Sequence, residues 1–517
     1  DLIFSDEFMD DNRQFADGMD TRWTSEDRPG VTNGALQYYN SSHVKTSDGM
    51  LVIETTNQDA SWDEHDMNGT YLDSFTRNYV SGLVSTWNKF CFTSGMIEVS
   101  LQLPGRPGTG GLWPAFWMLG NLGRAHYLES TKGVWPWSYD TCGDSEEAKR
   151  QLQGQKYTAC KDGSRGRGSP EIDIIEAQPG DLVVTYPNVS HINGSNYNTS
   201  VGRPMITTSL QVAPGIDHNI RPQVPDLPKQ GEWYKTLYPI GGEEYSPGMN
   251  GMLNNYWYGQ VISDYPLPEI WQDGLSVNTQ HDDRFYEEQH VFRTEWQSGK
   301  DGYIRWYWGD KFIHEINAKT LQSKPGAKDT VTQIPYEAMY LILNTDVSPK
   351  WGWNSCNMSD PCIQKLPDVC NPNGDLICTD CSNPRCVQCE DQQWFKDFCQ
   401  DINPNDPAKF KVDYVRVYQD HNDPTHTVGC NPPGLETRQI LQDNWEKYTF
   451  DPGVNKQGPL RDIAHGGGKC KGIQDCGGAN RGGCVEGVCE CSTNKWTGPF
   501  CVTPFKGEFA TGKPLAS

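Results

Sequence analysis

The chain has 517 residues, more than one ordinary domain, which suits one large unit with long insertions plus something small. A formal charge of −23 repels nucleic acid and anionic membrane surfaces and leaves a neutral polymer as the natural partner. No apolar run reaches the roughly 18 residues that a membrane-spanning helix needs, and 18 Trp with 23 Tyr supply many flat rings for sugar stacking or for packing.

From Asp1 to about Val99, short strand-like runs alternate with Gly, Asn and Asp turns; Gly49 to Thr55 is one, and Ile97, Val99, Leu101 and Leu103 alternate as a half-buried strand does. After a glycine-rich loop comes Leu112-Trp-Pro-Ala-Phe-Trp-Met-Leu119. Pro114 argues against a long helix, so this run is placed on a strand crossing the sheet, with Trp113 and Trp117 as stacking platforms or core residues. Residues 120–168 are turn-rich and bracketed by Cys142 and Cys160, which predicts a looped insertion closed by a disulfide. A second irregular region, from Pro179 to about Asp283, has no strand that can be assigned and includes Asn254-Asn-Tyr-Trp-Tyr258.

Strand patterns return at His290–Trp296 and Tyr303–Trp308, followed by a Gly309-Asp310 turn that implies a meander. Met339–Asn344 reads as a buried central strand, and Val412–Tyr418 alternates cleanly and is expected to close a sandwich. Many short strands with no βα alternation predict an all-β fold of two sheets face to face. Thr437–Tyr448 offers Leu441, Trp445 and Tyr448 at helical spacing behind a Thr cap, so one amphipathic helix is expected to pack on the sandwich.

The 18 cysteines are even in number, and Asn-X-Ser/Thr sequons occur at Asn40, Asn68, Asn188, Asn193, Asn198 and Asn357, which together predict a secreted or cell-surface glycoprotein. Asp1 follows no signal peptide, so the chain is expected to be a processed or trimmed ectodomain, with any membrane anchor outside it. Cys378, Cys381, Cys386 and Cys389 mimic a zinc ribbon, but the oxidising compartment and the even count favour disulfides. Beyond a glycine run at 466–468, Cys470, Cys476, Cys484, Cys489, Cys491 and Cys501, with Gly498, resemble an EGF-like module. That likeness implies the pairs 470–484, 476–489 and 491–501.

The acidic stretch reads Ser169-Pro-Glu-Ile-Asp-Ile-Ile-Glu-Ala-Gln178. Strand alternation puts Glu171 and Asp173 on one face and Ile172 and Ile174 on the other. Strict alternation would bury Glu176 beside the isoleucines. A β-bulge near Ile174 and Ile175 returns it to the face of Glu171. Three acids in a row suit retaining glycoside cleavage, in which a nucleophilic carboxylate and a protonated acid stand about 5 to 5.5 Å apart. Asp173 between them would raise the proton affinity of a neighbouring carboxyl. The plainer alternative is a solvated edge strand with acids on its wet face.

Together with Asp6-Glu-Phe8, Ser94-Gly-Met-Ile-Glu-Val99, Gly111–Trp117 and Val412–Tyr418, the Glu-X-Asp-X-X-Glu stretch resembles glycoside hydrolase family 16, a β-jelly-roll of the laminarinase type. Gly120-Asn-Leu-Gly-Arg-Ala125, Trp135-Pro-Trp-Ser-Tyr-Asp-Thr-Cys142, Gly166–Gln178 and Val428-Gly-Cys-Asn-Pro-Pro433 narrow the likeness to its β-glucan synthesis-associated branch, known from fungal killer-toxin-resistance proteins. The resemblance implies Glu171 as nucleophile, Asp173 as its electrostatic partner and Glu176 as general acid/base. It implies Trp113, Trp117, His290 and Asn344 as sugar contacts. It requires no cofactor, and it suggests a structural calcium with Asp413 as ligand. The partner implied is a β-glucan, with transfer to a sugar acceptor (β-1,6 transglycosylation) or to water. A plain endo-β-1,3-glucanase and a non-catalytic glucan-binding scaffold are the alternatives. The expected organisation is a catalytic jelly-roll at 1–424 with a Cys-rich insertion at 354–400, an extension at 425–464, the EGF-like module at 465–503 and a tail at 504–517. Oligomeric state cannot be read from the sequence.

Overall fold

The alternating Ile97, Val99 and Leu101 are buried on the strand Gly95–Gln102, at the middle of one of two large antiparallel sheets. The computed structural model describes residues 1–66, 68–180, 183–185, 200–202, 204–216, 251–254, 259–262, 270–322, 331–349, 351–353, 359–370, 377–389, 393–450, 465–492 and 495–504. The sheet containing Gly95–Gln102 runs in the order Lys311–Asn317, Tyr303–Trp308, His290–Gln297, Gly95–Gln102, Ala408–Tyr418, Met50–Thr55, Val44–Ser47. Leu2–Asp6 also pairs with Ala408–Tyr418. The second sheet runs Gly251–Asn254, Trp271–Gln280, Met205–Val212, Glu171–Gln178, Leu112–Gly120, Met339–Val347, Leu83–Ser85, Thr24–Ser25.

One apolar cluster fills the space between the sheets. Val99, Val415, Val417 and Trp306 enter it from the first, and Phe116, Met118, Ile172, Ile175, Leu341 and Leu343 from the second. The architecture is thus the all-β, jelly-roll type of sandwich that the sequence predicts. Met339–Val347 is the buried central strand expected of it, with every residue buried. Val412–Tyr418, expected to close the sandwich, is part of the longer strand Ala408–Tyr418, which lies inside its sheet between Gly95–Gln102 and Met50–Thr55. Pro114 sits in a strand because its ladder to Glu171–Gln178 begins only at Ala115, so the missing N–H is not called on from that side.

The region 179–283 supplies Met205–Val212 and Trp271–Gln280, two strands that sequence patterning does not assign. Both are almost wholly buried, but few of their residues are apolar: Thr208 takes a core position between Ile206 and Leu210, and Gly274 and Thr279 interrupt the second strand, so the alternation is too short to mark either one. Residues 255–258 of the aromatic stretch, and the sequons at 188, 193, 198 and 357, lie outside the described residues. The helix expected over Thr437–Tyr448 is two short ones, Arg438–Asp443 and Trp445–Thr449. Asn444 breaks it: its Nδ2 donates to the Ile440 carbonyl at 2.9 Å, competing with the backbone ladder. The Thr cap is also replaced, because Asn431 Oδ1 accepts from the Thr437 and Arg438 amides at 2.8 Å each. The packing side is as expected, with Trp445 and Tyr448 stacked on Trp87.

Disulfides join Cys91 to Cys430, Cys142 to Cys160, Cys362 to Cys389, Cys378 to Cys386 and Cys381 to Cys399. The zinc-ribbon spacing is therefore spent on sulfur–sulfur bonds, and Cys356 lies outside the described residues. In the C-terminal unit the pairs are 470–484, 476–489 and 491–501, as the EGF-like likeness implies, and the half-cystines with Phe500 are its core. Arg481 of this unit pairs with Asp10 of the sandwich.

Candidate active site

Ile172, Ile174, Ile175 and Ala177 all belong to the inter-sheet core. Two successive core-facing residues cannot occur on a regular strand, and the pairing shows how they do here. Trp117 opposes Asp173 and Phe116 opposes Ile175, so Ile174 is the extra residue; on the other side Asp173 pairs with Ser209 and Glu176 with Thr207. The bulge falls where the sequence demands it. Glu171, Asp173 and Glu176 consequently share the face turned away from the core.

Each acid is held by a different element. Trp135 Nε1, from the looped insertion, donates to Glu171 Oε2 at 2.8 Å. Trp113 Nε1 donates to Glu176 Oε1 at 3.2 Å, with its ring stacked on Trp351 at 5.1 Å. Ser209 Oγ donates a short hydrogen bond to Asp173, and Gln211 Nε2 donates to Ser209 Oγ at 3.4 Å. From the opposite sheet, through the core, Trp306 Nε1 donates to the Asp173 carbonyl at 2.9 Å, which fixes the backbone beside the bulge.

Burial pushes all three acids up. Glu171 is driven well above the usual carboxylate range, first by desolvation, then by the charges of Asp173 and Glu176, against the Trp135 N–H. Glu176 moves the same way, by desolvation and by Asp173, against the Trp113 N–H. Asp173 rises from 3.8 to about 6 through desolvation, with Ser209, Glu171 and Gln211 opposing. Asp173 raises the proton affinity of Glu171 while Glu171 lowers that of Asp173, so the two neighbours compete for one proton. Such a row can hold a proton near neutral pH beside a carboxylate that is free to attack, the separation of roles that acid-and-nucleophile chemistry needs.

Trp117 lies half-buried on the same face, opposite Asp173, and its Nε1 donates to Asn344 Oδ1 at 2.7 Å. Asn344 neighbours Ala115, whose other neighbour is Glu176, so Trp113, Trp117 and Asn344 all border the acids. His290 does not. It begins a strand of the opposite sheet, with its ring flat on Phe285 at 4.1 Å and its Nε2 3.7 Å from Glu288. Asp413 stands at a register shift of Ala408–Tyr418, on that same sheet. Among the described residues no group of three potential metal-ligating side chains includes it, and the one such cluster, at Cys470, Cys476 and Cys484, is disulfide-bonded.

Several members of the site escape sequence reasoning. Trp135 stands in a quoted motif but carries no site role there, Ser209 falls in the region without assigned strands, and Asp346 lies beyond the end given to its apolar run. Asp346 Oδ1 accepts from Gln37 Nε2 and from the Tyr39 hydroxyl, and burial lifts this carboxyl to about 7.

A family model described as "Beta-glucan synthesis-associated protein SKN1/KRE6/Sbg1" matches residues 1–363. Among curated relatives, the chain is 30% identical over 468 residues to the β-glucan synthesis-associated protein KRE6 of Saccharomyces cerevisiae, covering 86% of this chain and 50% of that protein. It is 31% identical over 470 residues to SKN1 of the same yeast, covering 86% and 47%. The chain thus spans about half the length of these relatives. Among solved structures, it is similar to the catalytic domain of an endo-1,3-β-glucanase (laminarinase) from Thermotoga petrophila, with 20% identity, TM-score 0.39, and 82% and 98% of the two chains covered. LamAcat from Zobellia galactanivorans gives 17% identity, TM-score 0.38, and 81% and 97% coverage.

Proposed function

This chain belongs to the SKN1/KRE6/Sbg1 family of β-glucan synthesis-associated proteins, and from that premise we propose that it is a retaining β-glucan-active enzyme. The observation that carries the reading is the bulge at Ile174, which sets three acids together on the face of the sheet turned away from the core. A glucan-binding scaffold has no use for that arrangement, because burying acids together raises the free energy of the fold without adding a sugar contact.

In the proposed cycle, Glu176 protonates the glycosidic oxygen as the bond to the anomeric carbon breaks, and Glu171 attacks that carbon to form a glycosyl-enzyme ester. The proton shared by Glu171 and Asp173 resides on Asp173 during the attack, and the Trp135 N–H stabilises the ionised Glu171. Glu176, now a carboxylate, then takes a proton from the incoming nucleophile, whose oxygen displaces Glu171. Water gives hydrolysis, and a sugar hydroxyl gives transglycosylation. Trp117 supplies a face on which a sugar ring stacks. No step requires a metal or cofactor. The disulfides and sequons support action in the secretory lumen or outside the cell.

The test is size analysis of products from an end-labelled β-1,3-linked glucose oligomer. Longer products mean transfer, shorter ones hydrolysis alone, as in a plain endo-β-1,3-glucanase, and binding without products favours the scaffold. Glu171→Gln is expected to abolish turnover; near-normal activity in that variant removes Glu171 from the mechanism.

A further inference from the structure

Asp346 is only 4% exposed and takes no part in the cycle above, yet it lies at the site, opposite Trp113 across the strand pair. Its Oδ1 is the end point of a directed chain of hydrogen bonds. An indole N–H can only donate, so Asn344 must turn its Oδ1 to Trp117 Nε1, 2.7 Å away. The amide nitrogen of Asn344 then faces the other way, donating to the Tyr39 hydroxyl at 3.2 Å and, with a longer contact of 3.5 Å, directly to Asp346 Oδ1. Tyr39, fully buried, passes its own proton on to Asp346. Gln37 holds the far end, donating from Nε2 to Asp346 Oδ1 and accepting at Oε1 from the Val347 amide at 2.9 Å. Asn344 therefore has both ends of its amide engaged within the protein. Its part is to orient Trp117.

We infer that Asp346 is a positioning residue which, through Tyr39 and Asn344, fixes the indole plane of Trp117 as the platform for a glucose ring. The inference rests on the glucan reading above. Asp346 anchors the far end of the chain: without its acceptor the Tyr39 hydroxyl turns, the Asn344 amide nitrogen loses its fixed partners, and the Asn344 side chain, though its oxygen still faces the indole N–H, no longer holds the ring of Trp117 in one plane. Asparagine at 346 keeps an acceptor oxygen, and leucine keeps the volume while removing it.

The experiment titrates a linear β-1,3-linked glucose hexamer into the full chain by calorimetry, with Glu171→Gln as the parent so that no turnover occurs. Adding D346L or Y39F weakens binding about tenfold, the scale of one net hydrogen bond, while D346N stays within about threefold of the parent. In a W117A background D346L then costs less than about twofold more, because the residue it acts through is gone. Parent-like affinity in Y39F, whose folding is checked by its melt even if D346L fails to fold, overturns the inference. So does an equal D346L penalty with and without Trp117. A parent that does not bind the hexamer removes the glucan reading and this inference with it; binding that is insensitive to both variants removes the inference alone.

Discussion

Trp135→Phe isolates the indole donor that helps to keep Glu171 ready to attack. The substitution retains a flat ring and deletes the Nε1–H that lies 2.8 Å from Glu171 Oε2. Burial and the charges of Asp173 and Glu176 already favour the protonated form, and this N–H opposes them. A hydrogen bond to a charged group contributes about 1.5 to 3 kcal/mol, and about 1.4 kcal/mol is one pH unit. Its loss raises the proton affinity of Glu171, so the acid limb of kcat/KM moves to higher pH by about one to two units. Below that limb the rate falls about tenfold to a hundredfold, and on the plateau it changes far less. Reducing-end release from a β-1,3-glucan oligomer between pH 4 and 9 reads this directly, with the limb reporting the coupled row rather than one residue. An acid limb that stays in place, or moves to lower pH, refutes the assignment of Glu171 as the group that must be ionised.

Trp113→Phe removes the N–H on Glu176 Oε1, and because Glu176 must be protonated to act, the alkaline limb, not the acid one, is expected to move up in pH. The same pH–rate series checks it. Asp173→Asn bears on stability. Folded Asp173 keeps its proton up to about 6, whereas an unfolded aspartate loses it near 3.8, so the wild type loses stability as pH rises through that window. The variant is expected to melt above the wild type at pH 8 and to lose that advantage towards pH 4, with a ceiling of roughly 3 kcal/mol; calorimetric melts at both pH values test it. Deleting Ile174 straightens the strand and turns either Glu176 or the isoleucines to the wrong side, so activity vanishes and the melt drops by an amount consistent with several kcal/mol; a deletion variant that still turns over glucan disproves the role of the bulge.

The acidic row was legible because its sequence contradicts itself under simple alternation. Glu176 on the isoleucine side is physically intolerable, and one extra residue resolves the conflict. Trp113 and Trp117 were legible for a similar reason, since proline in their run left only a strand with faces to assign. His290 shows the limit of such reasoning: alternation gives the face of a strand, not the sheet it joins, and this strand joined the sheet opposite the acids. Asp346 and Tyr39 meet across 307 positions, a pairing that no local pattern encodes. Ser209 became visible only once Met205–Val212 was seen beside the acidic strand, and the break at Asn444 depends on a side-chain hydrogen bond that helical periodicity ignores.

The bond between Cys91 and Cys430 spans 339 positions and encloses the acids, Trp113, Trp117, Trp135 and the Cys-rich insertion in one covalent ring. A single cut by a protease anywhere inside that ring yields no separate fragments. The nicked molecule migrates as one species until it is reduced, and its two pieces remain at each other's side to refold. On the proposed reading, in which the chain works in the secretory lumen or outside the cell, that ring converts a severed chain into a repairable one.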